Sequence, residues 1–470
     1  MHGPRQPGWD FYKDSLIDYT ARNSFIFQSG VPKMDLAFYQ KLTTYPHFVR
    51  SYEPTDLESA GYAYEYLSPD NFDLPNAAVS DGILASNAQA FKAMIVRAND
   101  SMTVQGAVGI AEFAHAGLPI IFSGGIPSYL ASYNASGSTY VNETLQSLTD
   151  LANVHVVPYD ELTDTVASLG IPPLTSVNAN GSWFTYWRRD DLAGFDYVFV
   201  YNDEPSYKMG DGYTEGTIEF ASTGTPYFLD AWTGEQSKIQ NFSTSANTTT
   251  IPLHLAGNQS VIIAFADNET QPTYNKTTST INDPSAPLPA PVTSYDLSSW
   301  TLIVEHWDPP KNLTSDITPS GTIKSNTTHQ LTSLISWQNI SGLENVSGRG
   351  YYNTTFAWPP LSFRYFYNSS STLSAYIDFG AIVHTISVRI NGRQLPPLDP
   401  TWAKMDVSEF LVQGTNEVQA VVSTPLFNVL KPIWTQLRTA GEAPGMSVED
   451  TPLQDYGLVK PVMVVAYVQE

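Results

Sequence analysis

The sequence predicts a multidomain α/β plus all-β protein, with one α/β layer followed by two all-β modules. Three observations carry that expectation. Up to about residue 170, apolar strand-like runs alternate with helix-like segments. After Pro172 the hydrophobic period falls to two, and between 267 and 298 a stretch of Asn, Thr, Ser and Pro separates two groups of strands. The resulting boundaries are 1–30 for a leading helix, 31–172 for the α/β layer and 173–266 for a small β-sandwich. A proline-stiffened linker then fills 267–298, and the second all-β module runs over 299–470.

The elements follow in order. Phe11 to Gly30 reads as a helix, with Leu16, Tyr19, Ile26 and Phe27 as apolar positions and Gly30 with Pro32 as its stop. Met34 to Tyr39 reads as a strand, as do Lys92 to Arg97, Leu118 to Phe122 and Val154 to Val157. Helices are expected over Thr103 to Ala116, Val141 to Ala152 and Asp160 to Leu169, with Gly117 and Gly170 ending the first and last. Continuous apolar strands between helices mark a parallel sheet buried on both faces, a Rossmann-like or flavodoxin-like layer. Its Ser123-Gly124-Gly125-Ile126-Pro127 turn has neither GxGxxG spacing nor a P-loop lysine, so it reads as a plain strand-to-helix turn.

Beyond Pro172, alternation predicts strands at 183–189, 197–202, 216–221, 226–232, 249–255 and 260–266. From Trp300 a second strand series begins. Asn391-Gly392 supplies the two positive-φ residues of a type I′ hairpin turn, and Gly414-Thr415-Asn416 a further tight reversal. Trp300, Trp307, Trp337, Trp358 and Trp402 suit either a stacking platform or sandwich core, and core is the commoner use.

Composition removes several function classes. The 470 residues hold 46 acidic against 23 basic side chains, a net charge of −23, which repels nucleic-acid backbones and anionic membrane surfaces. No apolar run approaches a membrane span. There is no cysteine, so disulfides and thiolate chemistry are excluded. The eight histidines have no HxH or HExxH spacing, and no GxSxG elbow occurs. No metal-ligand set and no cofactor are assigned; calcium stays open through Asp and carbonyl oxygens, although no loop has the EF-hand pattern.

The stretch 50–72, RSYEPTDLESAGYAYEYLSPDNF, is acidic and aromatic. Glu58, Tyr62, Tyr64 and Glu65 are its candidate carbohydrate contacts, since tyrosine rings stack on pyranoses and carboxylates accept hydroxyl hydrogens. A solvated loop with locally packed tyrosines explains the same residues.

Residues 1–9 have no apolar core of a signal peptide, yet fifteen Asn-x-Ser/Thr sequons are present. They start at Asn99, Asn134, Asn142, Asn180, Asn241, Asn247, Asn258 and Asn268, and again at Asn275, Asn312, Asn326, Asn339, Asn345, Asn353 and Asn368. Chance produces some of these in a chain rich in Asn, Ser and Thr, but their concentration in turn-like stretches favours glycosylated surface positions. The expectation is a secreted protein whose signal peptide lies upstream of Met1.

Two sets of motifs resemble known families. IDFG (377–380), SVRINGRQL (387–395) and TWAKMDVSEFLVQGTNEVQAVV (401–422) closely resemble the galactose-binding-like jelly roll of large glycoside hydrolases. TARNSFIFQSGVPKMDLAFY (20–39), LESAGYAYEYLSP (57–69), VSDGILASNAQAFKAMIV (79–96) and HAGLPIIFSG (115–124) follow an order similar to glycoside hydrolase family 106, the α-L-rhamnosidases, in its secreted fungal form.

That resemblance implies a catalytic (β/α)8 barrel, then an α/β domain, a β-sandwich and the jelly roll, with inverting hydrolysis by two carboxyl groups. A barrel needs about 250 residues, whereas only some thirty precede the α/β layer here. Residues 1–30 are then a remnant of the barrel's last unit, with His2 as a candidate sugar contact, and no catalytic carboxylate can be placed. The expected function is the accessory, non-catalytic portion of an α-L-rhamnosidase-like hydrolase acting on rhamnose-containing plant glycans. The alternative is a stand-alone secreted glycan-binding or scaffold module.

Overall fold

The computed structural model describes residues 6–41, 56–131, 135–204, 212–268, 281–310, 321–359, 372–439 and 447–469. The leading helix is continuous, from Trp9–Phe11 through a π turn at Tyr12–Leu16 to Ile17–Gln28. It lies against the middle of the chain. Tyr19 stacks on Trp232 with ring centroids 4.2 Å apart, and Phe27 meets Phe199 at 5.0 Å. Arg22 Nη1 donates to the carbonyls of Ala231 and Trp232, each at 2.9 Å. Gly30 ends the helix at φ +57°, where a Cβ would stand 2.0 Å from the Arg189 carbonyl oxygen, so only glycine fits. The Arg188 guanidinium closes the turn by donating to the carbonyls of Ser29 (2.6 Å) and Gly30 (2.8 Å).

Strand Val31–Lys33 then joins the edge of a six-stranded antiparallel sheet. The order is Val31–Lys33, Trp183–Asp190, Phe195–Asn202, Ser260–Ala266, Thr225–Leu229, Gln236–Lys238. A four-stranded sheet of Ser243–Thr244, Thr249–Ala256, Tyr213–Phe220 and Thr175–Ala179 faces it. Alternating inward residues, including Trp183, Val198, Phe220 and Phe265, form the core between them.

Between these first two sandwich strands the chain builds a five-stranded parallel sheet. Its order is Tyr64–Leu67, Leu36–Tyr39, Ala93–Arg97, Ile120–Ser123, Val154–Val157. Every residue of the three central strands is buried, as the continuous apolar runs predict. Helix Val104–His115 covers one face, its first turn capped by Thr103 Oγ1 accepting from Gly106 N at 2.8 Å. Helix Leu162–Ser168 covers the other through Leu162 and Val166.

The C-terminal region is a second, larger sandwich. Pro291–Asp296, Met463–Gln469, Thr372–Asp378 and Lys404–Asp406 make one sheet. Ile323–Leu331, Trp300–Asp308, Gly348–Trp358, Gly414–Ser423, Thr385–Ile390 and Arg393–Gln394 make the other. Trp300, Trp307, Trp337 and Trp402 are buried, and Trp358 packs against the core, so these rings form no open platform. Asn391 (φ 52°) and Gly392 (φ 77°) form the expected two-residue turn. Buried Asn416 fastens the other reversal, donating to the Val412 carbonyl at 2.8 Å while its Oδ1 accepts from Val412 N at 2.8 Å.

Two segments read as loop or linker carry strands instead. Tyr64–Leu67 pairs with Leu36–Tyr39, and Pro291–Asp296 pairs with the last strand. Both are edge strands whose polar and aromatic content dilutes the apolar alternation that marks a strand in sequence. The third predicted helix also starts earlier, spanning Ala135–Ser147. Among the described residues no helix is long and apolar enough to cross a membrane.

Asp35 ties the α/β layer to the chain that leaves it for the sandwich. Its side chain has no solvent exposure, and its carboxylate meets Lys92 Nζ at 2.8 Å. It also accepts the backbone amides of Ala63 (3.1 Å) and Leu174 (3.0 Å). Burial pushes the carboxyl above its usual range, against the opposite pull of Lys92 and the two amides. Asp35→Ala strands the Ala63 and Leu174 amides and leaves the Lys92 charge without its counter-ion, so it is expected to cost ~3–5 kcal/mol in urea unfolding. Replacing Lys92 by Met in the same chain should recover part of that loss.

His254 gives a signed pH dependence. Its buried ring packs 5.0 Å from Trp402 and 5.3 Å from Tyr213, and burial lowers its pKa from 6.5 to about 4. The unfolded chain therefore takes up a proton that the folded chain refuses. The contribution is fully present above pH 6.5 and is lost as pH falls toward 4, by on the order of 3 kcal/mol. The stability difference between the parent and His254→Phe, measured from pH 7.5 to 4, is expected to shrink by that amount.

Candidate functional site

The outer face of the six-stranded C-terminal sheet holds an open groove of about 670 Å³. Alternation builds it. In Trp300–Asp308 the residues Trp300, Leu302 and Val304 point into the core, leaving Thr301 and Ile303 outside. In Gly348–Trp358, Tyr352 is buried, while Tyr351 and Asn353 face outward. Register then aligns two rows across the sheet. Ile303, Tyr351 and Val421 form an apolar row, and Gln330, Thr301, Asn353 and Gln419 a polar one.

The groove offers a ring face beside amides and hydroxyls. Tyr351 is 38% exposed and Ile303 40%. Thr301 Oγ1 donates to Gln330 Oε1 at 3.1 Å, and Asn353 Nδ2 to Glu417 Oε1 at 2.7 Å. Among the described residues no Asp, Glu or His lines the groove itself, and the nearest carboxylate is that of Glu417, held by Asn353.

The sequence-predicted residues lie elsewhere. His2 falls outside the described residues. Tyr62 is buried, and its hydroxyl donates to the Ile171 carbonyl at 2.8 Å. Glu58 and Tyr64 are brought together, the Tyr64 hydroxyl donating to Glu58 Oε1. Burial, then Glu58, raises the Tyr64 phenol well above its usual range. Tyr64 also packs on Phe38 at 4.9 Å and edge-on to Tyr66 at 5.8 Å. The buried Arg97–Asp100 pair (2.8 Å) sits by the same group, its guanidinium 5.6 Å from the Tyr66 ring. Pairing with Leu36–Tyr39 turns Tyr64 and Tyr66 toward the helix-covered face. Glu65, between them, is exposed, and partial desolvation at the sheet edge lifts its carboxyl above the usual range. Tyr62 is thus buried, Glu58 and Tyr64 are half-buried and bonded to each other, and Glu65 is exposed apart from them.

Of the fifteen sequons, Asn134, Asn275, Asn312 and Asn368 lie outside the described residues. The other eleven, Asn99, Asn142, Asn180, Asn241, Asn247, Asn258, Asn268, Asn326, Asn339, Asn345 and Asn353, are all exposed. The buried asparagines Asn23, Asn202, Asn416 and Asn428 start no sequon. Among the described residues no three His, Asp or Glu side chains converge as a metal site.

Tyr351 was not singled out by sequence reasoning. The usable signal was the alternation in GRGYYNTTFAW (348–358), which sets Tyr351 and Asn353 on the face opposite Tyr352.

No protein-family model matches the sequence, and no curated protein matches it. Among solved structures, a rhamnosidase from Novosphingobium sp. PP1Y superposes with a TM-score of 0.66 over 98% of this chain, at 17% identity. The likeness is one of fold, and this chain spans 41% of the length of that rhamnosidase. A beta-glycosidase from Bacteroides vulgatus aligns over 37% of this chain and 20% of its own, at 15% identity and a TM-score of 0.22. An exo-carrageenase from Bacteroides ovatus aligns over 53% of this chain and 31% of its own, at 11% identity and a TM-score of 0.28. These two scores are too low to bear on the fold.

Proposed function

We propose that this chain is a carbohydrate-binding, non-catalytic portion of a secreted α-L-rhamnosidase-like glycoside hydrolase of family 106, of the fungal type. On this reading the parallel layer is flavodoxin-like and the C-terminal sandwich is a galactose-binding-like jelly roll. The observation that carries the proposal is the groove around Tyr351, whose ring, amides and hydroxyls suit a sugar and whose described lining holds no carboxyl pair of the kind hydrolysis requires. The fold likeness to a rhamnosidase across 98% of the chain and the ordered motifs of its amino-terminal half support the same reading. The eleven exposed sequons support secretion.

A second reading has its own observation. Asn353, in the groove, starts a sequon, so its own glycan is an alternative occupant of the Tyr351 surface.

The test uses two preparations of the full chain, one from a bacterial host and one from a secreting eukaryotic host. The chain is expected to release no rhamnose from an aryl α-L-rhamnoside. The bacterial preparation should bind rhamnosylated oligosaccharides in calorimetric titration, and Tyr351→Ala should weaken that binding at least tenfold, about 1.4 kcal/mol. Rhamnose release above background would refute the non-catalytic assignment. Binding unchanged in Tyr351→Ala would refute the groove. Binding confined to the bacterial preparation and restored by enzymatic deglycosylation would establish the second reading.

A further inference from the structure

A small cavity of about 40 Å³ lies where the leading helix and the two sandwiches meet. Four separate parts of the chain line it with oxygen. Asn23 comes from the helix, Asp230 from the middle sandwich, Asn282 from the connecting segment and Asp399 from the C-terminal sandwich.

Three of these four side chains carry an oxygen short of donors. Asn23 is only 8% exposed. Its Nδ2 donates to the Tyr19 carbonyl at 2.9 Å, which fixes the amide orientation and leaves Oδ1 with no protein donor. Asn282 Oδ1 likewise has none. Asp399 Oδ1 accepts from the amide and hydroxyl of Thr401 at 2.8 and 2.6 Å, but its Oδ2 meets only Gln259 Nε2, at 3.5 Å. Asp230 is satisfied within its own turn, its Oδ1 accepting from the Trp232 and Thr233 amides at 2.8 and 3.3 Å and its Oδ2 from the Thr233 hydroxyl at 2.7 Å. Among the described residues neither carboxylate forms an ion pair. Arg22 donates to the Ala231 and Trp232 carbonyls, and Lys404 pairs with Asp378 at 3.1 Å.

Two neighbouring carboxylates with no direct ion pair, Asp230 feeling the Arg22 charge only at a distance, are matched by either a proton or a metal between them. A shared proton leaves both amide oxygens unbonded. A hard cation uses all four oxygens and neutralises both charges, and calcium takes such mixed carboxylate and amide sets with water completing its shell. We propose that the cavity is a calcium site formed by Asp230, Asp399, Asn23 and Asn282, pinning the leading helix and both sandwiches together. This rests on no assumption about the Tyr351 groove.

The full chain, stripped with chelator, is to be melted with and without millimolar CaCl2, and titrated with Tb3+ while exciting tryptophan. Trp232 and Trp402 line the cavity and are placed to sensitise the lanthanide. Calcium is expected to raise the melting temperature by roughly 4 °C or more and to quench the sensitised emission by displacement. Asp399→Asn and Asp230→Asn should each abolish both effects while melting cooperatively in chelator. No calcium shift in the parent, or a shift and emission undiminished in both variants, would overturn the site. So would an Asp399→Asn variant that loses only a stabilisation of the stripped chain at low pH, which would identify a proton-sharing pair.

Discussion

Asp35 is the constraint on which the arrangement of the amino-terminal half depends. A carboxylate wholly removed from solvent is tolerable only when its oxygens are matched, and here the matches come from three places in the chain. Lys92 precedes the third strand of the parallel sheet, Ala63 precedes its edge strand, and Leu174 starts the path back into the sandwich. Lys92 Nζ also donates to the Pro172 carbonyl at 2.7 Å. The amino ends of three neighbouring strands and the exit from the layer are therefore held by one buried charge. Hydrophobic packing alone would leave their relative register softer, because apolar contacts have no direction.

Much of this was legible because the chain states it in simple periods. Continuous runs such as Ala93–Arg97 and Ile120–Ser123 sit where full burial on both faces requires them. Asn391-Gly392 needed only its two positive-φ positions to declare a hairpin. What was not legible lies where neighbours decide. Tyr64–Leu67 is a strand because Leu36–Tyr39 offers it a partner, and no local pattern announces that.

The candidate site divides in the same way. The acidic, tyrosine-rich stretch at 50–72 drew notice by composition, yet pairing folds Tyr64 and Tyr66 onto Phe38 and buries Tyr62. The exposed ring at Tyr351 is unremarkable by composition. It becomes a surface only when Ile303 and Val421 arrive beside it from strands distant in sequence. The cavity at Asp230 and Asp399 is further removed still, since its four side chains come from four regions and share no spacing that a linear reading could detect.

Strand Val31–Lys33 has a consequence for how the molecule is assembled. It pairs with Trp187–Arg189, so the α/β layer is spliced into the sandwich between an edge strand and the strand beside it. The sandwich is thus a discontinuous unit whose first piece leaves the ribosome long before its second. Closing that gap carries an entropic cost that grows only logarithmically with the length of the intervening chain, and less still once the layer has folded and brought its two ends together. The layer is accordingly free to fold first as a self-contained insert, with the leading helix and its strand waiting for Trp183–Asp190 before they can dock.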